Sequence, residues 1–224
     1  MMQSKEALPI LYSFRRCPYA IRARYAIYYR SKIVYLREVK LQNKPDELFE
    51  FTKKGTVPIL LLNKTSQVIS ESLDIMFWAF GGDLCDSNKS WKNLVSKESE
   101  NLILTNDNFF KYWLDRYKYF DRFPQKNKEF YRLKCEQFIE IIEQKLKNRN
   151  FIVSNEVSFV DIAIFPFVRQ FALFDINWFK NSKYQKTGAW LNQFLEQCDF
   201  KEQVMKKFTL WKEFHQEYLF PQSI

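Results

Sequence analysis

The residue best placed for chemistry is Cys17, in the stretch Ser13-Phe14-Arg15-Arg16-Cys17-Pro18-Tyr19-Ala20. Pro18 suits the first position of a helix, where its missing N–H would have no intrahelical partner anyway. Cys17 then becomes the N-cap, its sulfur beside unpaired amides and the positive end of the helix dipole. Arg15, Arg16 and Arg22 add positive charge nearby. Such surroundings lower a thiol pKa and give thiolate at neutral pH. The bland alternative, a small buried hydrophobe, leaves the proline and the arginines unexplained.

Two further stretches could serve that sulfur. In Thr56-Val57-Pro58-Ile59 a proline opens a strand after a turn containing Gly55, a setting for a cis peptide in which Val57 offers its backbone to an extended ligand. In Ile69-Ser70-Glu71-Ser72 a strand gives way to a helix, so a carboxylate, a hydroxyl and adjacent amides could hold an ammonium and a carboxylate together. Read alone, this is the pattern of a plain helix cap. Joined to the other two in this order, it reads as a clamp for an α-amino acid.

Other chemistries are excluded by count. The chain of 224 residues has four glycines, Gly55, Gly81, Gly82 and Gly188, and no pair has the spacing of a dinucleotide or P-loop phosphate motif. The single histidine, His215, rules out a zinc site of several imidazoles and reads as a surface helix residue. No metal is expected. Cys17, Cys85, Cys135 and Cys198 lie far apart with no C-x-x-C pair, as in thiols kept reduced in a cytoplasm. The formal charge of +9 is scattered from Lys5 to Lys212 instead of forming a run, so no nucleic-acid partner is expected. Apolar stretches such as Val57 to Leu62 and Ile162 to Val168 fall far below the roughly 20 residues of a membrane span. The N-terminus lacks the pattern of a signal peptide, so the expected location is cytoplasmic.

The elements that must position these residues change character near Gly81. Before it, strands at Ile10–Phe14, Ile33–Leu41, Val57–Leu62 and Gln67–Ser70 interleave with helices at Pro18–Tyr29, Pro45–Lys54 and Glu71–Phe80. That β-α-β-α-β-β-α order demands a parallel crossover and then, across Asn63-Lys64-Thr65, a hairpin. It predicts an α/β thioredoxin-like domain over residues 1–81, a linker over 82–89 and an all-helical domain over 90–224. Helices are expected at Trp91–Thr105, Phe109–Phe120, Asn127–Asn148, Phe159–Phe174, Thr187–Gln197 and Lys201–Tyr218. The start at Ser158 is the best marked: its hydroxyl can cap the N3 amide while Asp161 reaches back to the Ser158 N–H.

Cys17-Pro18-Tyr19-Ala20, Val57-Pro58 and Glu71-Ser72 resemble the cysteine-type branch of the glutathione transferase superfamily, such as the omega class and the bacterial two-domain glutaredoxins. Ser13 to Arg24, Gly55 to Leu60, Glu71 to Ile75 and Leu114 to Tyr119 are similar to a group of bacterial glutathione S-transferase-like proteins. The Ser158 to Asp161 box resembles the folding box of the family's sixth helix. The resemblance implies glutathione as co-substrate, Cys17 as the catalytic thiol, Val57 with Pro58 as backbone partner of the glutathione cysteine, and Glu71 with Ser72 as the γ-glutamyl clamp. Lys44 matches an omega-class lysine that reaches the glycine carboxylate. Ala20 stands where a dithiol glutaredoxin has its second cysteine, so turnover would pass through a Cys17–glutathione mixed disulfide.

By the same resemblance the second substrate, a small electrophile or a mixed disulfide, would meet Phe110, Trp113 and Tyr117, which recur at three and four spacing on one helix face. A stripe of this kind is also plain core packing. The leading expectation is a glutathione-dependent thiol transferase or reductase. The alternatives are a conjugating glutathione S-transferase, with Tyr12 or Ser13 as the activating hydroxyl, and a non-catalytic binding protein of the same fold. The family habit is a homodimer, and the two-domain glutaredoxins leave a monomer open.

Overall fold

The computed structural model describes residues 8–62, 67–82, 86 and 89–222. The Asn63-Lys64-Thr65 connection and most of the 82–89 linker, Cys85 included, lie outside them. The chain forms two compact units, Met1–Trp91 with Cys198–Ile224, and Lys92–Gln197. No helix among the described residues is long and apolar enough to cross a membrane.

In the first unit β1 (Ile10–Ser13), α1 (Pro18–Tyr29) and β2 (Val34–Glu38) make the parallel crossover, with Leu11 opposite Leu36. After α2 (Glu47–Phe51), β3 (Ile59–Leu62) runs antiparallel to β1 and β4 (Gln67–Ile69) antiparallel to β3, and α3 (Ser72–Ala79) follows. β1 is buried along its whole length because it is the central strand. Its residues alternate between two layers. Ile10 and Tyr12 join a cluster with Val39, Leu48, Val57 and Ile59, while Ser13 bonds to Arg24 of α1. The Val57–Pro58 peptide is cis, as the strand start suggests, and so is Phe220–Pro221.

Both α1 and α3 close in Schellman turns. After α1, Ser31 adopts φ 50°, with its N–H on the Tyr28 carbonyl and the Lys32 N–H on that of Ile27. After α3, Gly81 takes φ 87°, a conformation that costs a residue without Cβ little. Its N–H meets the Trp78 carbonyl, and the Gly82 N–H that of Phe77.

The second unit contains α4 (Lys97–Thr105), a π-helical turn (Asn106–Phe110), α5 (Lys111–Lys118), α6 (Lys128–Lys145), α7 (Phe159–Phe174), α8 (Ile176–Lys180) and α9 (Gln185–Leu195). Ser96, Asn127, Ser158 and Asp175 cap α4, α6, α7 and α8 with their own side chains. The box at Ser158 and Asp161 forms in both directions. The Asp161 carboxylate also accepts from the Ile152 N–H at 2.8 Å and the Trp190 indole N–H at 2.9 Å, tying the α7 start to α9. Burial pushes this carboxyl above the ordinary aspartate range, against the lowering pull of the Ile152, Ser158 and Trp190 hydrogen bonds.

The end of the chain corrects the sequence reading. The expected division at 90–224 and the expected helix Lys201–Tyr218 are replaced by a π-helical turn (Phe200–Val204), a four-residue α10 (Trp211–Phe214) and β5 (Tyr218–Phe220), all in the first unit. β5 pairs antiparallel with β2, Val34 opposite Phe220, and extends the sheet order to β4-β3-β1-β2-β5. His215 is not helical: it sits at φ 49°, exposed, where α10 turns into the strand. Alternation explains β5, since Phe220 is buried while Leu219 faces solvent. The helical spacing of Val204, Phe208 and Trp211 gives way to burial of Val204 and Phe208 in the first unit, with Trp211 partly buried against the core cluster.

Candidate functional site

The turn between β1 and α1 carries Cys17. Its N–H closes on the Phe14 carbonyl at 3.0 Å, and its carbonyl receives the Ile21 N–H at 2.9 Å, so the backbone is committed to starting α1. Pro18 occupies the first helical turn as expected, and the Cys17 side chain makes no cap hydrogen bond. The sulfur points instead toward Val57, with Sγ 3.8 Å from its carbonyl oxygen. Two of the stretches singled out in the sequence thus meet. Cys17 is partly exposed and Val57 buried.

A buried ion pair holds that turn. The guanidinium of Arg24, fully buried in α1, pairs with the Glu38 carboxylate at the end of β2. Arg24 Nε also donates to Ser13 Oγ at 2.7 Å and Nη1 to the Val204 carbonyl at 3.2 Å. The other Glu38 oxygen accepts the Arg15 N–H at 2.9 Å, within the turn itself. Burial pulls the Arg24 guanidinium below its ordinary pKa, and the Glu38 charge opposes the shift. Sequence reasoning missed this pair, although the signal was present: Glu38 falls in register with Val34 and Leu36 on the buried face of β2.

Glu71 is the N-cap of α3, exposed, and its side chain makes no cap hydrogen bond. It is therefore not spent on the helix, as a plain cap would be. Ser72 is buried, and its hydroxyl accepts from Arg22 Nη1 at 3.2 Å, linking the start of α3 to α1. Asp74, in the same first turn, adds a second carboxyl that burial pushes upward. Lys44 is partly exposed ahead of α2. Its ammonium lies 3.4 Å from the Lys54 carbonyl, on the loop that leads to Val57, and 5.7 Å from the Phe49 ring.

The hydroxyls proposed for the conjugating alternative are both engaged. Tyr12 is buried, donates to Glu47 Oε1 at 3.2 Å and accepts from Arg37. Burial pushes its pKa up to about 12. Ser13 is buried against Arg24.

The aromatic stripe belongs to the second unit and is mostly core. Phe110 and Tyr117 do share a face, both meeting Phe171, but each is 0% exposed. Phe110 also stacks on Phe138 at 4.7 Å. Burial pushes the Tyr117 hydroxyl pKa upward, and among the described residues that hydroxyl has no hydrogen-bond partner. Only Trp113 is partly open, stacked at 6.2 Å on Tyr131. The flat acceptor surface expected of the three is therefore not presented by Phe110 or Tyr117. Among the described residues no group of three His, Cys, Asp or Glu side chains could hold a metal ion.

Residues 11–81 match the family described as glutathione S-transferase, N-terminal domain, and residues 116–197 match glutathione S-transferase, C-terminal domain. No curated protein sequence matches the chain. Among solved structures, a Pseudomonas putida glutathione transferase with glutathione disulfide bound superposes with a TM-score of 0.70 at 17% identity, over 92% of this chain and 94% of that one. A glutathione transferase family member from Pseudomonas fluorescens with two glutathiones bound gives 0.68 at 13% identity, over 88% and 92%. An epsilon-class enzyme from the housefly, Musca domestica, gives 0.67 at 18% identity, over 87% and 90%. At such identities the likeness shows the fold. With both domains of one family matched in order along a chain that folds as its solved members do, the protein belongs to the glutathione S-transferase superfamily.

Proposed function

We propose that the protein is a glutathione-dependent thiol transferase of the cysteine type, acting on glutathione mixed disulfides or related thiol adducts in a reducing cytoplasm. The observation that carries this reading is the placement of Cys17: an N-cap sulfur left unused by its helix and turned toward the Val57 carbonyl at 3.8 Å. An extended glutathione would pair its cysteine backbone with Val57 beside Pro58. Its γ-glutamyl end would lie at Glu71 and Ser72, and its glycine carboxylate toward Lys44. Bound glutathione in the Pseudomonas fluorescens relative and glutathione disulfide in the Pseudomonas putida one support that choice of ligand.

In the proposed cycle the Cys17 thiolate attacks the glutathionyl sulfur of a mixed disulfide. The S–S bond breaks, the substrate leaves as thiolate and takes up a proton, and Cys17 is left joined to glutathione. A second glutathione thiolate then attacks that sulfur, releasing glutathione disulfide and restoring the Cys17 thiolate. Ala20 supports the second step, since no cysteine stands there to close an internal disulfide. The engagement of Tyr12 and Ser13 weighs against the conjugating alternative.

Paired steady-state rates on a glutathione mixed disulfide and on a chlorinated aromatic, for wild type and Cys17→Ser, test the reading. Cys17→Ser is expected to abolish thiol transfer while glutathione binding persists in calorimetry. Thiol transfer surviving in that variant would reject the cysteine mechanism. A non-catalytic protein would bind glutathione and turn over neither substrate.

A further inference from the structure

The C-terminal segment is held to α2 through side chains. The Trp211 indole N–H donates to Glu47 Oε1 at 2.6 Å, the same oxygen that receives the Tyr12 hydroxyl. The Arg37 guanidinium lies 3.8 Å from the Trp211 ring centre and pairs with Glu217, so the start of α10 and the residue before β5 are both fixed to β2. Trp211 packs against the cluster that contains Val57. Lys212 donates to the backbone carbonyl of Lys44 at 2.8 Å and to Asp46 Oδ1 at 3.2 Å.

These contacts fall on the segment that carries Lys44. α2 is five residues long, too short to be stable by itself, and its N-cap Asp46 makes no side-chain cap bond. Pro45 has no N–H with which to anchor the segment. Within α2 Leu48 is buried in the core and Glu47 receives the Tyr12 hydroxyl, while the approach to the helix is tied by the Lys212 ammonium on the Lys44 carbonyl and the Trp211 indole on Glu47. Where the Lys44 side chain can reach depends on that backbone, and its ammonium already lies over the loop leading to Val57.

We infer that Trp211 and Lys212 are positioning residues that set Lys44 for the glycine carboxylate of glutathione. The inference rests on the proposed glutathione site, and it assigns the end of the chain a part in ligand affinity. A merely structural role would weaken binding of every γ-glutamyl thiol alike. A positioning role acts only where a glycine carboxylate is present.

The test compares glutathione with γ-glutamylcysteine, which lacks the glycine, in steady-state thiol transfer by wild type, Lys212→Ala, Lys212→Arg and Trp211→Phe. Lys212→Ala and Trp211→Phe are expected to raise the KM for glutathione by about three- to tenfold, the scale of one lost hydrogen bond, with kcat little changed. The KM for γ-glutamylcysteine is expected to stay as in wild type, and Lys212→Arg to restore most of the glutathione affinity. Equal rises for the two thiols, a fall in kcat at constant KM, or no change in either variant would overturn the inference. Wild type that fails to use glutathione would instead overturn the proposed function itself, an outcome visible before any variant is made.

Discussion

A thiol at a helix start is available for chemistry only if the helix does not consume it. Cys17 meets that condition: its backbone closes the turn, and its sulfur makes no cap bond. The other two cysteines in the described residues are poor competitors. Burial pushes the Cys135 thiol well above its ordinary value, and a hydrogen bond from Cys198 to Glu202, with the Glu202 charge, pushes Cys198 up as well. A raised thiol pKa means less thiolate at any given pH. Iodoacetamide at pH 6 should therefore label Cys17 about tenfold or more faster than Cys135 or Cys198, as read by peptide mapping. Labelling of exposed Cys198 ahead of Cys17 would count against the assignment. The Glu38–Arg24 pair gives a second residue-scale prediction. Glu38→Ala leaves a guanidinium buried without its carboxylate and frees the Arg15 amide, so urea denaturation should show a loss of about 3–5 kcal/mol. The same variant should lose thiol transfer where it remains folded, because the Cys17 turn is no longer held.

Among the elements, helix starts divide by purpose. In the second unit α4, α6, α7 and α8 begin on side chains that serve as caps, and Glu143 on α6 caps α9 through the Lys186 and Thr187 N–H groups at 2.9 and 2.7 Å. In the first unit α1 and α3 begin on Cys17 and Glu71, whose side chains make no cap bond. Neither side chain is held by the helix that it precedes. Asp161 shows the opposite extreme, since Asp161→Ala would orphan the Ile152 N–H and the Trp190 indole N–H inside the second unit. A loss of about 3 kcal/mol or more is expected in chemical denaturation followed by tryptophan fluorescence. Local signals made such elements legible: Ser158 to Asp161 fixed the α7 start, and Pro18 fixed that of α1. The Glu71 and Cys17 readings rested on the same local chemistry, and the structure keeps both side chains off their helices. For Phe110 and Tyr117 spacing shows that residues share a face and says nothing about what covers it; their 0% exposure fits the core-packing alternative.

On the scale of the whole molecule, the segment after α9 returns to the first unit. β5 pairs with β2, some 180 residues earlier, as the Arg37–Glu217 bond also records. No local pattern announces this. Val204, Phe208 and Trp211 keep helical spacing, and it is burial of Val204 and Phe208 in the first unit that overrides it. With β5 in place the β2 edge is paired, and the exposed backbone that would invite another strand moves outward to a three-residue strand. Phe220, 0% exposed opposite Val34, anchors the arrangement. Phe220→Ala should cost about 3–5 kcal/mol through the lost burial and the cavity left behind. Hydrogen exchange would locate that cost: faster exchange is expected at Val34–Glu38 and Tyr218–Phe220, with the amides of α7 unchanged, because the segment belongs to the first unit. Exchange at Tyr218–Phe220 as fast as in a free chain in the wild-type protein would show that β5 does not hold, and with it the tie from α10 to α2 would lose its anchor.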